Sequence, residues 1–256
     1  MPISITLNAV HTHYGLHGPL DLSLSGSGIV CLIGPNGAGK STLLRVLCGS
    51  LPLVSGERLL SGAPLEALSN HDRARQIAFM PQSAPLSPHW TVSEVLQQGL
   101  TPYHRSHIYG EVKRELDHLC QVFELNEFLM RPILELSGGE RQRVLIVRAL
   151  AQSTGLIILD EPFTALDWSR QEKLAQEVRA VCKRRNSLLI LSIHELNLAA
   201  LYADQLILMS QGHIKAQGSP SDLMSSEELD RAFRTHARRI SHPTHSVQQI
   251  LPWGPQ

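Results

Sequence analysis

The spacing of apolar residues changes along the chain, and the changes divide it. Up to about Gln82, short β-rich stretches such as "ISITLNAV" and "GIVCLIG" alternate with glycine turns and one helical stretch, Ser41 to Cys48, the pattern of half an α/β core. From Ala84 to about Ser153, apolar residues recur at helical spacing in "TVSEVLQQGL", "GEVKRELDHLCQVFEL" and "GGERQRVLIVRALAQ", which predicts an inserted helical lobe. The wholly apolar "GLIILD" and "SLLILSIH" then bracket the helical "WSRQEKLAQEVRAVCKRR". Strands apolar on both faces in this β-α-β rhythm predict a buried parallel sheet and the return of the core. From about Ser241 the pattern lapses, because "SHPTHSVQQILPWGPQ" carries three prolines and no helical period. The expected division is a domain over 1–240, with core segments 1–83 and 154–240 around a helical lobe at about 84–153, and a short β-like or loose tail at 241–256.

Composition narrows the setting. A chain of 256 residues has room for one large or two small domains and a substantial buried core. Acidic and basic residues balance at 23 each, so no nucleic-acid partner is expected. No apolar run approaches the ~18–20 residues that span a bilayer, and "MPISITLNAV" lacks the basic start and apolar stretch of a secretion signal. Cys31, Cys48, Cys120 and Cys182 are scattered and form no C-x-x-C, which suits a reducing cytoplasm better than a disulfide framework or a zinc site. His11 and His13 are two apart, and His236, His242 and His245 crowd the tail. No cysteine or acid falls at ligand spacing beside them, which weighs against a metal site there.

Three motifs carry chemistry. "GPNGAGKS", Gly34 to Ser41, lies between the apolar "IVCLI" and a helix and fits a phosphate-binding P-loop. Glycines at 34, 37 and 39 let the backbone curl into a nest of N–H donors at the positive end of the following helix. Lys40 adds a point charge for the β- and γ-phosphates, and Ser41 a hydroxyl for Mg²⁺. Kinases, switch GTPases and motor ATPases share this loop, so alone it fixes the ligand and not the reaction. "LIILDEP", Leu156 to Pro162, ends a buried strand with two carboxylates at the end where ligands bind in open α/β sheets. Successive strand residues point to opposite faces, so Asp160 is assigned to the Mg²⁺ shell and Glu161 to a water poised for in-line attack. In "LSGGE", Ser137 and Glu140 form a capping box. Gly138 and Gly139 add nothing to such a box and cost helix stability, so they predict a close backbone approach to an anion. Because the P-loop already holds one nucleotide, that anion is expected on a second copy of the chain.

With these motifs in this order the chain resembles the nucleotide-binding subunits of ATP-binding cassette transporters, "LSGGE" matching their signature. The resemblance implies a P-loop NTPase core of parallel sheet, an N-terminal antiparallel β part and an inserted helical subdomain. It implies ATP and Mg²⁺ as ligands, with ATP held by Tyr14, by the run Gly34, Pro35, Asn36, Gly37, Ala38, Gly39, Lys40, Ser41 and Thr42, by Gln82, and by Ser137, Gly138, Gly139 and Asp167. Within it, Tyr14 matches the aromatic that stacks on adenine, and Gln82 in "MPQ" the glutamine that senses Mg²⁺ and the membrane partner. Asp167 in "TALD" matches the D-loop aspartate, and His194 in "SIHELNLAA" the switch histidine that joins Glu161 in catalysis. Ser41, Gln82 and Asp160 are the implied metal residues. Glu140 stands where many members have glutamine, a change the capping box tolerates.

The likeness also implies a setting. "HELNLAALYADQLILMSQGHIKAQGSPSDLM" and "HPTHSVQQILP" are similar to the ATPases of bacterial importers for iron chelates, haem and cobalamin, whereas that subfamily's Gly-Arg-Tyr-Pro-His stretch is scrambled here to "GLTPYH". The implied assembly is a head-to-tail dimer with two sandwiched nucleotides, docked on an integral membrane permease and served by a substrate-binding protein. It would sit peripherally on the cytoplasmic face of the inner or plasma membrane. A zinc or manganese importer, or a soluble cassette ATPase of iron–sulfur assembly, are the alternatives.

Overall fold

The computed structural model describes residues 2–164, 166–235, 237–242 and 247–251. The chain begins with strands β1 (Ser4–His11), β2 (Leu20–Ser25) and β3 (Gly28–Ile33), followed by helix α1 (Lys40–Leu47). Strands β4 (Ser55–Leu60) and β5 (Ala63–Pro64) lead through α2 (Asn70–Gln76) to β6 (Ile77–Met80). Helices α3 (Val92–Gln97), α4 (Tyr109–Val122) and α5 (Gly138–Ala151) separate β6 from β7 (Leu156–Asp160). Then come α6 (Trp168–Arg185), β8 (Leu188–Ser192), α7 (Leu196–Tyr202), β9 (Gln205–Ser210) and β10 (His213–Gly218). The described chain ends with α8 (Pro220–Ser225), α9 (Glu227–Phe233), β11 (Arg238–Ser241) and β12 (Gln248–Leu251).

Among the described residues the main sheet has the order β10-β9-β3-β8-β7-β6, parallel except for β10 at its edge. Its central strands bury both faces. In β3, Ile29, Cys31 and Ile33 face the core formed with the helical region, while Val30 and Leu32 face a second core built on α1 and the antiparallel sheet. That second sheet has the order β2-β1-β4-β5. The alternation explains why these strands read as unbroken apolar runs. Parallel pairing also gathers the carboxyl ends of β3, β6, β7 and β8 at one rim, where α/β sheets bind ligands.

Several local features differ from the sequence pattern. Helix α2 buries none of its residues, so no apolar period announces it; its sign is the Ser69 cap, which accepts the Asp72 N–H at 3.1 Å. The stretch read as one helix from Thr91 to Leu100 ends at Gln97 and tightens into a 3₁₀ turn over Gln98–Tyr103 that contains Pro102. A side chain at Gly99 would stand 2.4 Å from the Arg148 carbonyl, so this turn crosses α5 at backbone contact. The final hairpin starts at Arg238, before the expected tail boundary at 241. Asn197 on α7 pins it, donating to the Ile250 carbonyl at 3.1 Å and accepting the Ile250 N–H at 2.8 Å. His236 and His245 lie outside the described residues. No described helix is long and apolar enough to cross a membrane.

Candidate active site

The loop after β3 is built on glycine geometry. Gly34 has φ 146° and a Cβ there would lie 2.1 Å from the Met209 carbonyl; Gly39 has φ 98° and its Cβ would lie 2.5 Å from the Gly15 carbonyl. Only glycine fits such positions. Helix α1 starts directly after Gly39 with no side-chain cap and no acid in its first turn, so its first N–H groups are left for an anion. Lys40 is buried, and its Nζ donates to the carbonyls of Gly34 (2.8 Å) and Pro35 (3.1 Å). Burial pushes its pKa below the usual lysine value, with Glu161 and Asp160 acting the other way.

Asp160, at the end of β7, is wholly buried. Its Oδ1 accepts hydrogen bonds from Ser41 Oγ at 3.1 Å and Ser192 Oγ at 2.7 Å, while its Oδ2 has no partner. A buried carboxylate oxygen without a partner is costly. Next to the Ser41 hydroxyl it forms a hard-oxygen donor set, the kind that suits a Mg²⁺ ion and its waters.

Glu161 leaves the strand in the left-handed region, with φ 51°. This turn, more than strand alternation, separates its carboxylate from that of Asp160. The strained backbone is tied on both sides: Glu161 N–H donates to Ser192 Oγ at 2.8 Å, and its carbonyl accepts from Gln142 Nε2 at 3.1 Å and Thr164 Oγ1 at 2.5 Å. The carboxylate accepts Gln82 Nε2 at 2.9 Å on Oε2 and lies 2.5 Å from His194 Nε2 on Oε1. Gly15, Asn36 through Thr42, Gln82, Glu161 and His194 line one open cleft of about 530 Å³. A carboxylate held by an amide and an imidazole beside a phosphate nest can take a proton from a water in that cleft.

Other sequence-predicted residues lie elsewhere. Ser137 caps α5 in a full capping box, with Glu140 Oε2 accepting the Ser137 N–H at 2.8 Å. Gly139 lines a separate cavity of about 210 Å³ together with Glu140, Leu166 and Arg170, so the signature sits beside the start of α6. Asp167 is the N-cap of α6, accepting Arg170 N–H at 2.9 Å. Tyr14 is exposed and adjoins Gly15 of the cleft. Three groups had no sequence sign of their own: Ser192 and Gln142, which hold the two acids, and Gly212. The Gly212 N–H donates to the Ala38 carbonyl at 3.0 Å and its carbonyl accepts His17 N–H at 3.0 Å, bracing the P-loop from the β9–β10 turn. A glycine between apolar strands announces a hairpin and says nothing of what the turn touches.

The family model described as ABC transporter matches residues 18–164. The chain belongs to the ABC transporter family. Over 254 residues this cassette is 34% identical to the hemin import ATP-binding protein HmuV of Thermobifida fusca, covering 97% of this chain and 89% of that one. It is 34% identical over 224 residues to the cobalamin import ATP-binding protein BtuD of Halobacterium salinarum, covering 88% of this chain and 56% of that longer one. Among solved structures it resembles an ATP-binding cassette captured as a dimer in a post-hydrolysis state bound to ADP and Pi, with a TM-score of 0.76 at 26% identity over 84% of this chain and 98% of that one. An ATP-binding subunit of another ABC transporter gives a TM-score of 0.74 at 28% identity over 90% of this chain and 93% of that one. As an ABC ATPase, the chain binds and hydrolyses ATP.

Proposed function

We propose that this cassette powers import of a haem, cobalamin or iron–siderophore cargo through a membrane permease, and that it works as a head-to-tail dimer on the cytoplasmic face of the membrane. Support for the cargo class comes from the likeness to hemin and cobalamin import ATPases over most of the chain. Support for the dimer comes from one observation above the others: the P-loop, Gln82, Glu161 and His194 share a cleft that none of Ser137, Gly138 and Gly139 lines. A nucleotide contacted by the signature glycines Gly138 and Gly139 would then be that of a second copy.

In this reading Tyr14 stacks on the adenine, and the N–H groups from Gly34 to Thr42, with Lys40, cradle the phosphates. Mg²⁺ would be held by the Ser41 hydroxyl, Gln82 and Asp160, and when bound it supplies positive charge against the outer phosphates. Glu161 takes the proton of the attacking water, while Gln82 and His194 fix the direction of its carboxylate. His194 lies 40% exposed, open to a γ-phosphate in the cleft. Ser137, Gly138 and Gly139 close the site from the other copy, with Asp167 beside them. Movement of the helical region on closure reaches the permease beside Gln82.

Growth of a strain lacking the gene tests the cargo. It is expected to fail when iron comes only from haem or a siderophore, or when cobalamin limits, and to recover on ferrous iron or cobalamin-independent nutrients. Normal use of all three with failure on zinc or manganese would replace the cargo assignment and leave the ATPase mechanism standing.

A further inference from the structure

Three of the side chains that hold Glu161 from outside its own turn stand at strand ends of the main sheet: Ser192 closes β8, His194 lies just past it, and Gln82 lies just past β6. The fourth belongs to the signature helix. Gln142 on α5 donates from Nε2 to the Glu161 carbonyl at 3.1 Å, and among the described residues no other hydrogen bond joins the helices between β6 and β7 to Glu161. Its place on the chain's backbone gives this bond leverage. Ser192 fixes the N–H of Glu161 and Gln142 its carbonyl, so together they set the direction in which the side chain leaves the backbone. The next residue is Pro162, whose nitrogen carries no hydrogen, so the carbonyl is the only polar group by which that peptide can be held. Glu161 has φ 51°, a conformation that a residue other than glycine keeps only where its surroundings impose it. Gln142 lines neither the nucleotide cleft nor the cavity that holds Gly139.

We infer that Gln142 is a positioning residue that couples the two ATP sites of the dimer, by making the aim of Glu161 depend on where the signature helix sits. The inference rests on the head-to-tail reading, in which Gly138 and Gly139 meet the nucleotide of the partner. Gln142 follows Gly138 by one helical turn, on the same face and about 6 Å along the axis, so a displacement of the helix start arrives at its amide. A bond of 3.1 Å is near the upper end of the range for an amide donor, and a movement of about half an ångström decides whether it holds. Seating the signature on the partner's nucleotide therefore sets the carboxylate that serves this chain's own nucleotide. The same link runs the other way round in the second chain, so each site responds to the filling of the other.

The test uses the full chain and Gln142→Met, which keeps the length of the side chain and removes the donor. Its kcat is expected to fall on the order of 10-fold, with the KM for ATP little changed. In a Glu161→Gln background the same substitution should cost no further turnover, because the carboxylate it aims is gone. Equal losses in both backgrounds would make Gln142 a structural residue of α5 and overturn the inference. The coupling is read in dimers isolated in ATP through two different affinity tags, with Glu161→Gln in one chain so that a single site works. Ser137→Arg placed in the other chain spoils the signature of the idle site only, yet hydrolysis at the working site is expected to slow. Gln142→Met added to that same chain should then remove little more. Hydrolysis unaffected by Ser137→Arg, or losses that multiply in full, overturns the coupling and leaves the dimer standing. Absence of any ATP-dependent dimer removes the head-to-tail reading and the coupling together.

Discussion

His194 Nε2 lies 2.5 Å from Glu161 Oε1 across 33 residues of sequence, and Gln82 Nε2 holds the other carboxylate oxygen from 79 residues away. Glu161, the proposed general base, is thus aimed by two side chains from neighbouring strand ends. Glu161→Gln keeps the shape and removes the basicity. Turnover is expected to fall at least ~100-fold with ATP binding retained, as read by steady-state hydrolysis and nucleotide titration. Near wild-type hydrolysis would take Glu161 out of the role.

Ser192 positions both acids, donating to Asp160 Oδ1 and accepting the Glu161 N–H. Ser192→Ala should lower kcat roughly 10- to 100-fold through misplacement of the reacting groups, with KM for ATP little changed. It should also destabilise the fold by about 1–3 kcal/mol, since Asp160 loses a buried donor. A variant with reduced stability and unaltered kcat would make Ser192 a structural residue only.

How far these residues could be read from the sequence depends on what each one contacts. Gly34 to Ser41 and Leu156 to Glu161 were legible because their chemistry is written in adjacent residues, and the central strands because both faces are apolar. Ser137 and Glu140 were legible as a cap for the same reason. Ser192 was not: it is a serine at the end of an apolar strand, and its partners Asp160 and Glu161 come from another strand through parallel register. Helix α2 hid because it buries nothing, and the break after Gln97 because Gly99 answers to Arg148 on a distant helix. Contacts between distant segments leave no local period.

Gly34→Ala should prevent formation of the phosphate loop. The new methyl would stand 2.1 Å from the backbone of Met209 at a positive φ, so strand β9 or the loop must shift. A loss of at least about 1–3 kcal/mol is expected in denaturant unfolding, together with loss of ATP binding. Wild-type stability would mean that the loop relaxes around the methyl.

Lys40 gives a pH signature in the nucleotide-free protein. Burial holds its folded pKa below the ordinary 10.5, so the unfolded chain binds more protons through the window between the lowered value and 10.5. Stability therefore rises with pH across that window. As pH rises toward the ordinary lysine value of 10.5, the wild type should gain stability relative to Lys40→Met, in which this contribution is absent. Parallel curves for the two proteins would contradict the assignment.

The central claim is that each ATP site is shared between two copies, and a mixture of two defective proteins addresses it most directly. Lys40→Ala destroys the P-loop half and Ser137→Arg the signature half, so each homodimer has two incomplete sites. A mixed dimer has one complete site, formed by the P-loop of the Ser137→Arg chain and the signature of the Lys40→Ala chain. With Glu161→Gln added to both chains to block hydrolysis, mixed dimers isolated in ATP through two different affinity tags are expected to retain one trapped ATP per pair, against none in either homodimer. Isolated mixed dimers that trap no more ATP than the homodimers would contradict the shared site.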